Sequence, residues 1–280
     1  MGIGGEARGW FEPKDTRELT AFLASCRGRT PIVVIGAGSN LLVKDGRIEK
    51  IFVRLSKPFF RSVDMRGCRV SVGAGVPLAA LVRRLAAAGL TGYEFLAGIP
   101  GTMGGAVVMN AGARTVFDKP GTYREIKDIV ESVDAVGMDG RCRTFTKRQI
   151  RFSYRDSSLT SFVIVTATLR LRKGSSAAAG ERIRRILKAR RERQDRSYPS
   201  AGSFFKNPAS SGETAGRLID GCGLKGACVG GACVSSKHAN FILNKGGATY
   251  ADVKKLMDMV QKAVYHRYKI HLKPEVKIVV

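Results

Sequence analysis

Three positions in this 280-residue chain carry side chains whose type and setting make them candidates for chemistry. Arg155 lies in Phe152-Ser153-Tyr154-Arg155-Asp156-Ser157. An arginine beside an aromatic can grip a carboxylate through a two-point fork, and a surface arginine paired with Asp156 is the plainer alternative. Ser203 lies in Tyr198-Pro199-Ser200-Ala201-Gly202-Ser203-Phe204-Phe205-Lys206-Asn207-Pro208, where small neighbours put its hydroxyl on a turn. A serine hydrolase is disfavoured. Phe205 stands where the nucleophile elbow needs its second glycine, and His238, His266 and His271 offer no triad partner. Glu275 sits among apolar neighbours near the C-terminus, so it is either an edge residue facing water or a buried acid with a shifted pKa.

Glycine-rich loops form the second kind of candidate. Gly36-Ala37-Gly38-Ser39-Asn40-Leu41 follows an apolar run and begins like a dinucleotide fingerprint, but Leu41 replaces the third glycine and no helix clearly follows. A Rossmann site is therefore not expected, although the loop could still offer backbone N–H groups to a diphosphate. Gly98-Ile99-Pro100-Gly101-Thr102-Met103-Gly104-Gly105-Ala106 is richer still, and it runs on to Asn110 and Ala113. Two such loops suit a large, flat, phosphate-bearing cofactor wrapped by main chain, with tight packing around turns as the alternative. Further on, Leu218-Ile219-Asp220, Gly223-Leu224-Lys225-Gly226, Gly230-Gly231-Ala232 and the run from Ser235 to Phe241 set Lys and Asn side chains among glycines, which suits a nucleotide or phosphorylated ligand.

Composition bounds the classes that can apply. An apolar fraction of 44% and a charged fraction of 25% are globular values, which exclude disorder and a disulfide-stapled mini-scaffold. The length suits about two domains. Forty-eight Lys and Arg against 23 Asp and Glu leave a net charge of +25, so anionic partners are expected. Six cysteines, at 26, 68, 142, 222, 228 and 233, show no C-x-x-C pair or zinc spacing. They are expected to be reduced, buried thiols, with no metal bound. No signal peptide is expected. The uncharged run from Phe95 to Ala113 reaches membrane-spanning length but carries five glycines, Pro100 and Asn110, so a loop-bearing core segment is expected instead.

These residues need elements to position them. Asp15 and Glu18 predict a capped helix with Leu19, Phe22 and Leu23 on one face. Residues 31–36 read as a buried strand, and 51–55 and 69–73 as further strands. Pro77 opens a helix carrying Leu78, Leu81, Val82 and Leu85, closed by Gly89. A β-branched run ends the first half at 162–172. Gly174-Ser175-Ser176-Ala177-Ala178-Ala179-Gly180 reads as a linker, followed by a basic helix over 181–196 with Ile183, Ile186 and Leu187 as its apolar stripe. Thr249 caps a last helix with Val253, Leu256, Met257, Val260 and Val264 at core spacing, and a strand over 275–280 ends the chain.

In this order the motifs IGAGSNLLVKDG, FLAGIPGTMGGAVVMNAGA, FSYRDSS, YPSAGSFFKNP, LIDGCGLKG and SSKHANFILN resemble the UDP-N-acetylenolpyruvoylglucosamine reductase (MurB) family, in its shorter subtype, over nearly the whole chain. The resemblance implies an α+β fold: a two-subdomain FAD-binding region of the PCMH/vanillyl-alcohol-oxidase type plus a separate α+β substrate-binding domain. On this chain those parts are expected at 1–173, with subdomains about 1–56 and 57–173, then a linker at 174–180 and a substrate domain at 181–280 whose terminal strand returns Glu275 to the active site.

The family's FAD contacts carry over to Gly36, Gly38, Ser39, Asn40 and Leu41, to Gly98, Ile99, Pro100, Gly101, Thr102, Gly104, Gly105 and Ala106, and to Asn110. Its catalytic positions fall on Arg155, Ser203 and Glu275. Tyr154, Lys206, Asn207 and the basic helix are expected to meet the substrate. The implied reaction is NADPH-dependent reduction of the enolpyruvyl ether of UDP-N-acetylglucosamine to UDP-N-acetylmuramate, for peptidoglycan synthesis, by a cytoplasmic monomer. Arg155 would pair with the enolpyruvyl carboxylate, Glu275 would stand beside it, and Ser203 would give a proton to the neighbouring carbon.

The chain departs from the family pattern where RTVFDKPGTYR at 114–124 replaces a very short turn. It also begins inside the family's opening motif, which leaves room for a short leading segment. Two rivals stand beside this reading: another flavoprotein of the same architecture, such as an oxidase, and a basic nucleic-acid binder. Aromatics do not interleave with the basic run, so no stacking platform for specific nucleic acid is evident, and no membrane insertion is expected.

Overall fold

The computed structural model describes residues 1–26, 29–119 and 121–280. Pro120, inside the 114–124 stretch, lies outside the described residues. The chain divides into two compact units. The larger comprises Gly9–Ala37 and Lys50–Arg190; the smaller comprises Met1–Arg8, Gly38–Glu49 and Arg191–Val280.

The larger unit is built on an antiparallel five-stranded sheet, in the order Cys142–Thr146, Val130–Gly137, Phe162–Arg170, Arg69–Gly73, Val63–Arg66. A second sheet joins Glu6–Phe11, Arg47–Val53 and Ile32–Val34, the last two pairing in parallel from Ile32 with Ile51 to Val34 with Val53. The two sheets fall on either side of residue 57. Ile32–Val34 is an edge strand, and Val34 is 39% exposed, which corrects the buried strand expected at 31–36. An apolar triplet paired on one side only has one covered edge.

Helices pack against these sheets where their apolar stripes dictate. Helix α1, Thr16–Cys26, buries Leu19 and Leu23. Asp15 accepts the Glu18 amide at 2.9 Å, while Glu18 accepts the amide of Lys14 rather than that of Asp15. Helix α2, Leu78–Ala87, buries Leu78, Leu81, Val82 and Leu85 and stops at Gly89, whose φ of +64° a side chain would resist. Helix α3, Met103–Val108, packs against Phe162–Arg170, and the Phe95–Ala113 run sends Phe95, Leu96, Met103 and Val107 into the core with exposed loop positions between them, the loop-bearing core segment expected. No helix among the described residues is long and apolar enough to cross a membrane.

Helix α4, Ser176–Arg193, begins inside the stretch expected as a linker. Three successive alanines favour helix over coil, and Ala179 is wholly buried. Ile186 is buried and Ile183 and Leu187 join the same core, so the apolar stripe lies where the sequence puts it. The division between units falls after Arg190 rather than at 174–180.

The smaller unit holds an antiparallel four-stranded sheet in the order Ser200–Ser203, Phe241–Asn244, Ala232–Val234, Cys228–Val229. Helices α5, Ala215–Gly221, and α6, Tyr250–Tyr268, cover it. Thr249 and Asp252 cap α6 reciprocally, and the five residues expected on its core face are its buried ones. The final strand, Lys277–Val279, is shorter than expected and pairs in parallel with Leu41–Val43.

The cysteines do not behave as the expected reduced, buried thiols. Cys228 and Cys233 face each other across a hairpin and are joined in a disulfide. Cys142 is exposed, and Cys26, Cys68 and Cys222 are half-buried. Cross-strand register brings the first two together, which spacing along the chain does not reveal.

Glu94, 1% exposed, is held by Arg182 of α4 at 2.8 Å, by the Thr91 hydroxyl and by the Gly92 amide. Removing the arginine leaves a buried carboxylate with less compensation. Arg182→Ala should therefore lower unfolding stability by about 2 kcal/mol, the cation being partly solvated. Urea denaturation of the purified variant checks this; an unchanged midpoint would mean that the pair contributes nothing.

Candidate active site

In the smaller unit the site begins with three residues, Ser203-Phe204-Phe205. Both phenylalanines are fully buried and anchor the segment, leaving Ser203 half-buried at the strand's end. Asn240, 3% exposed, holds the segment through main chain. Its Oδ1 accepts the Phe205 amide at 2.9 Å, its Nδ2 donates to the Phe205 carbonyl at 2.8 Å, and its own carbonyl accepts the Phe204 amide. Gly202 has a φ of +77° with open space around it, so the turn before Ser203 suits glycine.

Glu275 is fastened to the same segment: its amide donates to the Phe204 carbonyl at 2.8 Å. Its carbonyl accepts from Asn40 Nδ2 at 3.2 Å, and the Asn40 carbonyl accepts the Lys277 amide. Asn40, Ser203 and Glu275, distant in sequence, are thus linked through the main chain of one unit. Glu275 is half-buried and precedes the terminal strand rather than lying within it. Gly38 adopts φ +67°, and Leu41 starts the strand that pairs with the C-terminal one.

Ser203 opens onto a cleft of about 290 Å³ whose wall includes Asn207, Arg217, Lys225, Lys237 and His238. Asn207 Oδ1 accepts the Ala215 amide at 3.0 Å, which fixes the start of α5 against the cleft. Three basic side chains face one lining carboxylate, Asp220, so the cleft favours an anion. Lys225 lies 2.6 Å from Asp220, and Lys237 Nζ donates to the Arg191 carbonyl. His238 accepts the Asn240 amide at Nδ1 and lies against Phe241. Burial pushes its imidazole below the ordinary pKa, and the charge of Lys225 acts in the same direction.

Lys206, expected to meet substrate, is not among the lining residues, and its amide donates to Lys273. The sequence reading missed Thr214 and Arg217. Thr214 caps α5 by accepting the Arg217 amide, and that cap was the available signal.

In the larger unit Gly36 lies against the second glycine-rich loop. A Cβ on Gly36 would stand 2.6 Å from Thr102 Oγ1. The 98–106 loop is laced to its neighbours: Gly101 accepts the Leu78 amide, and the Met103 and Gly104 amides donate to Val76 and Ala74. Gly104 leaves room for Ala74, and Gly98, at φ +75°, leaves room for Arg190. Gly98, Pro100 and Gly105 are exposed, while Ile99, Gly101 and Thr102 are half-buried and Ala106 is buried.

Asn110 is wholly buried, donates to the Ser153 carbonyl at 3.0 Å and accepts the Lys127 amide at 3.2 Å. It therefore steadies the turn that carries Tyr154, 40% exposed, and Arg155. Arg155 adopts φ +56°, an uncommon conformation for a residue with a side chain, and its Nη1 donates to the Gly112 carbonyl at 3.0 Å. Its guanidinium lies over the Tyr154 ring at 5.5 Å. Among the described residues no group of three His, Cys, Asp or Glu could hold a metal ion.

A family model described as FAD binding domain matches residues 7–146, and one described as UDP-N-acetylenolpyruvoylglucosamine reductase, C-terminal domain, matches 194–279. The UDP-N-acetylenolpyruvoylglucosamine reductase of Moorella thermoacetica is 42% identical over 278 residues, 99% of this chain and 88% of that protein. That of Nitrosococcus oceani is 42% identical over 279 residues, 99% of this chain and 90% of that protein. The crystal structure of the enzyme of that name (MurB) from Thermus caldophilus aligns at TM-score 0.83 and 36% identity, over 100% of this chain and 94% of that one.

Two outcomes follow from this geometry. Asn240→Ala leaves the main chain of Phe205 without its partners and should cost roughly 2–3 kcal/mol of stability, with lost order at Ser203. Chemical denaturation measures it, and a cost under about 0.5 kcal/mol would mean that the clamp is dispensable. His238 has its folded pKa below its unfolded one, so the unfolded chain takes up the proton first on acidification. Stability should therefore fall as pH drops below about 6.5. His238→Gln should flatten that slope in a melting series from pH 7 to 5.

Proposed function

The chain belongs to the UDP-N-acetylenolpyruvoylglucosamine reductase family, and from that premise we propose that it reduces the enolpyruvyl ether of UDP-N-acetylglucosamine to UDP-N-acetylmuramate, with FAD bound and NADPH as the hydride source, in peptidoglycan precursor synthesis. The observation that carries the reading is the fastening of Ser203 and Glu275 to one main-chain segment beside a cationic cleft. At Gly36, Gly98 and Gly104 a Cβ would enter space that neighbouring protein groups already occupy, so packing demands these glycines and fixes the loop main chain. Gly105, exposed and with room around it, fits a cofactor laid against that main chain.

When bound, FAD supplies hydride transfer from NADPH to the terminal methylene carbon of the enolpyruvyl group. Gly36, Gly38, Ser39, Asn40 and Leu41 and the 98–106 loop would hold it. Asn110 contributes by fixing the Arg155 turn. Arg155 would take the enolpyruvyl carboxylate and stabilise the negative charge that builds toward it. Ser203 would give its hydroxyl proton to the carbon next to that carboxylate, and Glu275 would stand alongside it. A neutral hydroxyl is a weak acid, so its placement must be close and fixed, and the Asn240 clamp supplies that fixity.

Arg217, Lys225 and Lys237 would hold the diphosphate, with Asn207 beside them. Tyr154 and Lys206 are further substrate contacts on this reading. The smaller unit, which includes Met1–Arg8 and Gly38–Glu49, would be the principal substrate-binding part. On this reading the enzyme works as a monomer. The family reading carries with it a cytoplasmic enzyme, and a cleft suited to a small anion gives no role to specific nucleic-acid binding.

Ser203→Ala separates the two halves of the reaction. The variant should keep its flavin absorbance and lose it normally on anaerobic addition of NADPH. Recovery of absorbance on adding the enolpyruvyl UDP-sugar should then be slower by about 10²- to 10⁴-fold, the usual worth of a placed proton donor. Recovery at the wild-type rate would remove Ser203 from that role.

A further inference from the structure

The strands Gly112–Arg114 and Tyr123–Glu125 form a hairpin that the proposed reaction does not use. It is nevertheless built against Arg155. The Gly112 carbonyl accepts Arg155 Nη1 at 3.0 Å, and the Tyr123 ring centroid lies 5.8 Å from the Arg155 guanidinium carbon. Tyr154 lies at 5.5 Å from the same carbon, and the two rings are 6.4 Å apart with their planes tilted by 54°. A cation within about 6 Å of a ring centroid is attracted to the ring face. Two rings and one carbonyl therefore restrain this guanidinium.

The hairpin is itself held firmly. The Thr115 amide donates to the Thr122 carbonyl, the Thr115 hydroxyl donates to Asp118 at 2.9 Å, and Asp118 lies 3.6 Å from Arg124. Gly112 has no room for a Cβ, because the Arg124 carbonyl would be 2.4 Å away. At the far end Arg185 of α4 donates to the Val116 carbonyl at 3.2 Å, and Arg182 lies over the Phe117 ring at 5.7 Å. Val116 and Phe117 pack against the core of the larger unit. A strut thus runs from α4, through Phe117, to Tyr123 and Arg155.

We propose that Tyr123 is a positioning residue for the reductive step: its ring, together with Tyr154, fixes the direction in which Arg155 presents its fork to the substrate carboxylate. The inference rests on the reading of Arg155 as that carboxylate's partner. A ring contact restrains the swing of a guanidinium through its flat face and does not itself take up an N–H donor. The positive φ of Arg155 makes such restraint necessary, since this backbone conformation persists only where its surroundings over-determine it.

The test uses the full-length, FAD-loaded protein with Tyr123→Leu, which keeps apolar bulk but lacks the ring, and Tyr123→Phe, which keeps the ring. The two half-reactions are followed separately by stopped-flow flavin absorbance, and melting temperature is recorded for each variant. For Tyr123→Leu we expect reduction by NADPH within about twofold of wild type. Reoxidation by the enolpyruvyl UDP-sugar should be roughly tenfold slower, with a raised half-saturating concentration, the scale of a lost cation–π contact. Tyr123→Phe should restore both. Wild-type reoxidation by Tyr123→Leu would overturn the proposal. So would Tyr123→Phe as slow as Tyr123→Leu, or both half-reactions falling together with the melting temperature, which would be a merely structural effect. Failure of the wild-type protein to reoxidise with the UDP-sugar is a separate result, and it would overturn the proposed reaction itself.

Discussion

Asn240 commits both ends of its amide to the main chain of a single residue, Phe205, and its own carbonyl to the amide of Phe204. Burial raises the stakes of this arrangement, because a main-chain polar group shut away from water must be paired. The consequences spread outward. Phe204 and Phe205 are pressed into the core of the smaller unit, Ser203 is left at its boundary, and the Phe204 carbonyl is turned to receive the Glu275 amide. Glu275 then meets Asn40, so the parallel pairing of Leu41–Val43 with Lys277–Val279 continues the same line of contacts. A weak acid such as a serine hydroxyl gains catalytic value only from fixed placement, and here fixity comes from amides rather than from charges.

The cleft shows how local chemistry that is modest alone becomes an anion site. Lys225 is neutralised by Asp220, and Lys237 is partly engaged by the Arg191 carbonyl, so neither is a bare cation. Arg217 also reaches Glu213, at 3.3 Å. What remains is a set of N–H donors already oriented by their partners, which suits a diphosphate better than mobile surface lysines would. His238 stays neutral in the same wall because burial disfavours its charged form, so it shapes the cleft without adding to its charge.

Much of this was legible in the residues. Caps and apolar spacing located α1, α2 and α6 closely, because those signals act within one or two turns. The glycine-rich loops, Ser203, Asn207 and the 218–241 segment were visible as chemistry before any fold was known. The misses have a common cause. Ile32–Val34 looked buried because apolarity does not say whether a strand has one neighbour or two. The 174–180 stretch looked like a linker because small residues suit both coil and the first turn of a helix, and contact of Ala179 with the core decided between them. The disulfide between Cys228 and Cys233 depends on cross-strand register. Tyr123 meets Arg155 across 32 positions of chain, beyond the reach of any local pattern.

Arg155 draws these threads into one physical trade. Its left-handed backbone costs on the order of 1–3 kcal/mol, since an arginine has none of glycine's freedom. A glycine there would remove the strain but also the fork. The strain must therefore be offset by contacts that only this conformation permits. The structure supplies direct side-chain contacts with Gly112, Tyr123 and Tyr154, and a further one that acts through the preceding turn, from Asn110 to the Ser153 carbonyl. Single cation–π contacts contribute on the order of 0.5–2 kcal/mol. One ring would leave the residue marginal, whereas two rings with a hydrogen bond over-determine it. The second ring comes from the extra sequence at 114–124, and anchoring of that stretch by Phe117 and Arg185 lets it act as a support rather than a loose loop. The hairpin thus touches helix α4 through Val116 and Phe117 and the arginine through Tyr123.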